Sequence, residues 1–435
     1  MMDVTKAGNQ TQNAPAPTKA ALEFLEEEIG VFFHFGIRTF NEYSRDWDRV
    51  PMELDTFNPT ELDCDQWIRS IKAAGARYAV LTTKHHDGFA NWPSKYTEYC
   101  VRNTPWKDGK GDVVREFVDA CRANGVKPGL YYSCAQFSTK DMTNEQYNDF
   151  VYGQLEELFG GNYGEIDEIW FDGCGSQDFD FDVERIEKGL RTMQPNALIF
   201  GNWGQDIQWV GNEWGWAHMD NSNNILCDGK LKFAPVECDS CITRNTPENF
   251  WFYNDTNKGY IRTVDELVGM YYLSVGRGAN MLLNIAPDRR GLLPQYAVDR
   301  ILGMRRELDY RFGMCKLPAG AVKASVEEDG KKRFTIEMEN FRLIDHVVIR
   351  ENLESGEHIR RFAVYSLPFE GRNIIHEGRI CTFLGGSVGH KRICSFPTIR
   401  SKFIDVVLED ADDEAEITSI EVFYVGDRSG NQIMD

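Results

Sequence analysis

Basic residues are in short supply: 48 Lys and Arg stand against 68 Asp and Glu, giving a net charge of −20 over 435 residues. A field of that sign repels phosphate backbones and anionic bilayer surfaces, which sets aside nucleic acid and membrane as partners. Also lacking at the amino terminus is an apolar run long enough for an export signal or a membrane span; Met1 to Thr18 is polar and rich in Gln, Asn, Ala and Pro. The expectation is a disordered lead-in over residues 1–20. The chain as written reads as cytoplasmic, or as periplasmic or secreted had an export signal been removed. No G-x-G-x-x-G follows a strand-like run, which counts against a dinucleotide-binding sheet. Internal repeats are absent too. The eleven cysteines are an odd number, scattered singly in apolar runs as at Cys121, Cys134 and Cys381, the pattern of free buried thiols. The one C-x-x-C, Cys238 to Cys241, has no second Cys or His pair to complete a zinc site.

What is there suggests two domains, because 435 residues exceed the size at which a single core stops growing. From Glu28 to about Phe312, short apolar runs alternate with amphipathic stretches, the βαβ signature. Strands are expected at 29–35, 78–83, 126–132, 166–171, 197–203, 233–238 and 281–285. Helices are expected at 64–74, 113–124, 145–159, 182–193, 264–275 and 295–310. Seven strands in this order, with one more hard to see, predict a (β/α)8-like barrel over residues 21–315; an open doubly wound sheet is the alternative. Past Cys315 the runs alternate at period two between Gly and Asn turns, predicting an all-β sandwich over 316–435.

Two carboxyl residues stand out. Asp172 ends the apolar run Glu168-Ile169-Trp170-Phe171-Asp172-Gly173, where a parallel barrel presents reactive groups, and Glu213 closes Trp209-Val210-Gly211-Asn212-Glu213, at the exit of the following strand. Paired carboxylates flanking one bond are the minimal apparatus for cleaving a glycosidic link; a turn Asp and a surface Glu are the plainer reading. Other strand ends carry His34, His85, His86 and Tyr131, a mixture of rings suited to several sugar hydroxyls, while Trp47, Trp92 and Trp170 offer faces for a pyranose. His85, His86 and Asp87 could suggest a zinc hydrolase. Neighbours on an extended segment point to opposite sides, however, so no shared metal ion is expected.

The runs HFG (34–36), FNPTELDCDQWIRSIKAAGARYAVLTTKHHDGF (57–89), NTPWKDGKGDVVREFVDACRANGVKPGLYYS (103–133), EIWFDG (168–173), VECDSCITR (236–244), WFY (251–253) and SVGRGANMLLNIAPDRRGLL (274–293) resemble the retaining α-L-fucosidase family of glycoside hydrolases. The resemblance implies a barrel followed by a β-sandwich, with Asp172 as nucleophile and no cofactor. WVGNE is similar to the branch acting on α-1,3 and α-1,4 fucosyl links of branched glycans, which implies Glu213 as acid/base. The substrate implied is a fucosylated oligosaccharide or glycoconjugate. His34, Trp47, His85, His86, Tyr131 and Trp170 fall on the family's fucose-binding motifs, and Glu237, Arg244 and Trp251 match a later pocket segment. Activity on L-galactosides through the same pocket, or fucose binding without turnover, are the readings left beside hydrolysis.

Overall fold

A computed structural model of the protein describes residues 15–41, 51–135, 142–173, 179–201, 206–227, 229–244, 251–367 and 378–426. The first element is a helix that the periodicity did not announce, α1 (Lys19–Glu27), capped by Thr18, so regular structure begins inside the stretch expected to be a lead-in. Eight parallel strands follow the chain from there: β1 (Ile29–Phe33), β2 (Tyr78–Lys84), β3 (Lys127–Ser133), β4 (Glu168–Asp172), β5 (Leu198–Phe200), β6 (Gln208–Trp209) and, after the hairpin β7 (Asn224–Cys227) and β8 (Lys230–Phe233), β9 (Val236–Cys241) and β10 (Asn280–Asn284). Their order is β5-β4-β3-β2-β1-β10-β9-β6. A parallel bridge between Phe200 and Ile207 joins the two edges and closes the barrel.

The strand hard to see in the sequence is β6, only two residues long. Two residues carry no period. The run expected at 233–238 is divided: Phe233 ends the hairpin and the barrel strand begins at Val236. Outside the barrel lie α2 (Cys64–Ala73), α3 (Val113–Asn124), α4 (Asn144–Phe159), α5 (Val183–Met193), α6 (Val264–Leu273) and α7 (Gln295–Asp309), where the amphipathic period placed them. Inside, Phe32, Val80, Tyr131, Trp170, Phe200 and Leu282 pack together, and Phe24 of α1 plugs the amino-terminal end.

The carboxy-terminal domain is one antiparallel sheet, β11 (Lys323–Val326), β12 (Lys332–Glu351), β13 (Ile359–Leu367), β14 (Ile380–Gly385), β15 (Arg392–Ala411) and β16 (Ile417–Phe423). The register of β12 on β15 shifts between Glu337 and Arg342 and again between Ile344 and His346. Such bulges bend a strand, so two 20-residue strands each serve both layers of a sandwich around a shared apolar core. Cys121 and Cys134 are buried free thiols as expected, whereas Cys381 on the edge strand β14 is exposed.

Candidate active site

Alternation at period two puts Glu168, Trp170 and Asp172 on one face of β4, rising through the barrel to its carboxy-terminal rim. Register sets Ser133 beside Asp172 and Tyr131 beside Trp170. The Tyr131 hydroxyl donates to Asp172 Oδ2 at 2.7 Å, and His86 Nε2 lies 3.5 Å from the same oxygen. His86 is fixed in turn by a 2.6 Å bond between Nδ1 and Ser133 Oγ. Below them Tyr131 stacks on His85 (5.7 Å, 11°) and on Trp170 (5.3 Å, 27°), and Trp170 stacks on Phe200 at 4.1 Å. The carboxylate therefore stands on a rigid aromatic floor.

Across the mouth, His34 Nδ1 donates to Asn284 Oδ1 at 2.9 Å, while Asn284 Nδ2 donates to the Trp251 carbonyl at 2.8 Å. One amide thus orients the His34 ring and anchors the Trp251 backbone, and the two rings sit 4.8 Å apart. Burial pulls the His34 imidazole down to about 3 and holds His85 and His86 below the usual range as well. Neutral imidazoles can both donate to and accept from sugar hydroxyls.

Glu213 follows β6 in a loop tied back to β9: Val210 N donates to the Glu237 carbonyl at 3.1 Å, and Trp214 pairs with Ser240. Gly211 and Gly215 turn this loop with φ of 89° and 73°, values that side-chain-bearing residues rarely adopt. Partial burial and then the charge of Asp172 push the Glu213 carboxyl above its ordinary range, against a hydrogen bond with Trp251.

Four sequence expectations need adjustment or fall elsewhere. His85 and His86 do not diverge: the strand ends at Lys84, the chain turns, and their rings lie 4.1 Å apart. Ligand atoms of His85, His86 and Asp172 accordingly fall within 4.8 Å of one another, whereas Asp87 leaves the group to pair with Arg38 at 3.2 Å. Trp92 is core, its indole bonded to Glu157 at 2.9 Å. Arg244 is exposed, and its guanidinium grips Glu266 at 2.6 Å. Trp47 lies outside the described residues.

Glu237 occupies an unexpected place. It is wholly buried, accepting from Tyr78 OH at 2.6 Å and from Trp170 Nε1 at 3.0 Å. Glu168 is buried near it on β4; burial raises both carboxyls, and the Glu237 charge raises Glu168 further. Gly30 makes room for Tyr78, since a Cβ there would meet the Tyr78 ring at 2.2 Å. Residues that sequence reasoning did not single out are Asn284, Tyr78, Glu168 and Asp239. Their signal was polar residues at alternate positions of barrel strands, visible once inward faces were known.

The family model for alpha-L-fucosidase matches residues 4–309. Alpha-L-fucosidase 1 of Arabidopsis thaliana is 33% identical over 305 residues, covering 65% of this chain and 58% of that protein. The tissue alpha-L-fucosidase of Mus musculus is 26% identical, covering 66% and 69%. Among solved structures, a glycoside hydrolase 29 family member from an unknown rumen bacterium superposes with a TM-score of 0.82 at 27% identity, covering 97% of this chain and 79% of that one. The barrel with its antiparallel companion, the carboxylate on its aromatic floor and the matched stretch agree: this chain belongs to the alpha-L-fucosidase family of glycoside hydrolases.

Proposed function

We propose that the protein is an exo-acting α-L-fucosidase that removes terminal fucose, α-1,3 or α-1,4 linked, from branched glycans with retention of configuration. The observation that carries this reading is Asp172 fixed by Tyr131 and His86 beside a Glu213 whose carboxyl is raised. An Asp172 oxygen attacks the anomeric carbon as the glycosidic bond breaks, and the Glu213 proton passes to the departing oxygen. Water then attacks the same carbon, Glu213 takes its proton, and Asp172 leaves with its bonding pair. His34, His85, His86 and Trp251 line the mouth where the fucosyl hydroxyls and methyl would lie. No step calls for a cofactor.

The test is Asp172→Gly with and without azide. Expected is a loss of several orders of magnitude, partial rescue by azide, and a glycosyl azide of inverted configuration, because only one displacement then occurs. Retention of a tenth of the activity, a loss of only about 1.4 kcal/mol, would overturn the assignment of Asp172. A panel of fucosylated oligosaccharides settles linkage; hydrolysis of α-1,2 links alone would remove the branch assignment.

A further inference from the structure

Buried rings account for the fucose end of the site, yet large aromatic surface is left bare on the acid/base loop. Trp209 is 50% and Trp214 57% exposed. Single exposed apolar residues need no explanation, but these two lie within five positions of each other and flank Glu213. Their posture is fixed. Trp209 pairs with the inward-facing Glu237 on β9, so its side chain leans over the barrel mouth, and its Nε1 donates to Asp239 Oδ1 at 2.7 Å. Trp209 thus lies tethered at the mouth four residues before Glu213, the group proposed to protonate the leaving oxygen. Trp214 stacks on Trp216 at 6.1 Å and 29°, and Asn212 holds that turn by accepting from Trp214 N and donating to the Trp216 carbonyl, both at 3.0 Å. A tethered indole keeps its face available at little entropic cost.

Resting on the reading of Asp172 and Glu213 given above, we propose that Trp209 is the platform on which the first sugar of the departing saccharide stacks, with the Trp214–Trp216 pair extending it. The ligand is a neutral pyranose oligosaccharide presenting an apolar C–H face. Nothing ionic is called for, and the net charge of −20 disfavours an acidic glycan. The platform binds what leaves, so it selects oligosaccharides over small aryl fucosides.

The experiment compares Trp209→Ala and Trp209→Phe with the unmodified chain on a fucosylated oligosaccharide and on 4-nitrophenyl fucoside. Expected is a roughly tenfold fall in the ratio of kcat/KM values, oligosaccharide over aryl fucoside, for Trp209→Ala, the scale set by burying one apolar ring face. Trp209→Phe, which keeps a face and lacks the N–H, recovers most of that ratio. An unchanged ratio, or a Phe variant as poor as Ala, overturns the proposal, the latter assigning the effect to the bond with Asp239. In a second arm the defucosylated oligosaccharide is titrated into each protein and its binding read by intrinsic fluorescence. Weaker binding to Trp209→Ala by about tenfold supports the platform; equal binding overturns it. Should the unmodified chain hydrolyse neither substrate, the fucosidase reading fails while this arm still decides the platform.

Discussion

The barrel holds two pairs of carboxyls, each with one member on β4. At the rim Asp172 faces Glu213; four residues earlier on the same face Glu168 meets Glu237 beneath Trp170. Residue types are alike, but surroundings are not. The rim pair sits at the mouth, where Tyr131 and His86 hold one member and a loop presents the other, its carboxyl raised. The inner pair is closed off, with Glu237 bonded to Tyr78 and to Trp170 and Glu168 buried beside it. Its work is to hold the aromatic floor, because Trp170 carries Tyr131 and Tyr131 carries Asp172. Depth along the barrel axis, rather than the carboxyl itself, sets the open pair apart from the closed one.

The comparison breaks most visibly at Asp172. Asp172→Asn is expected to lower turnover at least a thousandfold on every substrate with its thermal midpoint preserved. The same change removes the charge that raises Glu213, so the Glu213 carboxyl should titrate at lower pH, measured by carbon-detected NMR of labelled glutamate; an upward or absent shift would mean the two are not a pair.

Next comes Glu213→Ala, which should cost about 10²–10⁴-fold on oligosaccharides yet far less in the first step on an activated aryl fucoside, as stopped-flow release of phenol would show. Azide relieves the second step with retained configuration. Equal losses on both substrates would recast Glu213 as a positioning group. The inner pair could not take its place without opening the core.

For the inner pair the expected loss is stability before chemistry. Glu237→Ala leaves Tyr78 and Trp170 without their buried partner, a change worth about 3–5 kcal/mol in denaturant melts. Loss of catalysis at full stability would erase the distinction between the pairs. Because burial raises both carboxyls, the folded state binds protons that the unfolded chain has released. This contribution to stability is full below the unfolded carboxylate range and fades as pH rises through the raised values. Glu168→Gln, which does not titrate, should flatten the decline in thermal midpoint between about pH 5 and 8.

The smallest effect concerns the second domain. Glu357 accepts from Asn223 N at 2.6 Å, Arg392 donates to the Met219 carbonyl at 3.2 Å, and Ser387 donates to the Asn221 carbonyl, so the sandwich grips the chain just beyond the loop that carries Glu213. Glu357→Ala should cost about 1–3 kcal/mol and raise KM for oligosaccharides by a few-fold; an effect on kcat for aryl fucosides alone would not fit.

By itself the sequence determined what local pattern can determine. Short apolar runs and period 3.6 marked seven barrel strands and six helices, and an Asp closing an apolar run marked Asp172 as a rim residue. Motif resemblance added Glu213. Only tertiary structure decided that α1 plugs the barrel, that Trp92 belongs to the core, that His85 and His86 converge, and that Glu237 is buried with Glu168. The reason is physical: a strand's alternation is written in its own residues, whereas depth in the barrel depends on the register between strands far apart in the chain, as His34 meets Asn284 across 250 residues.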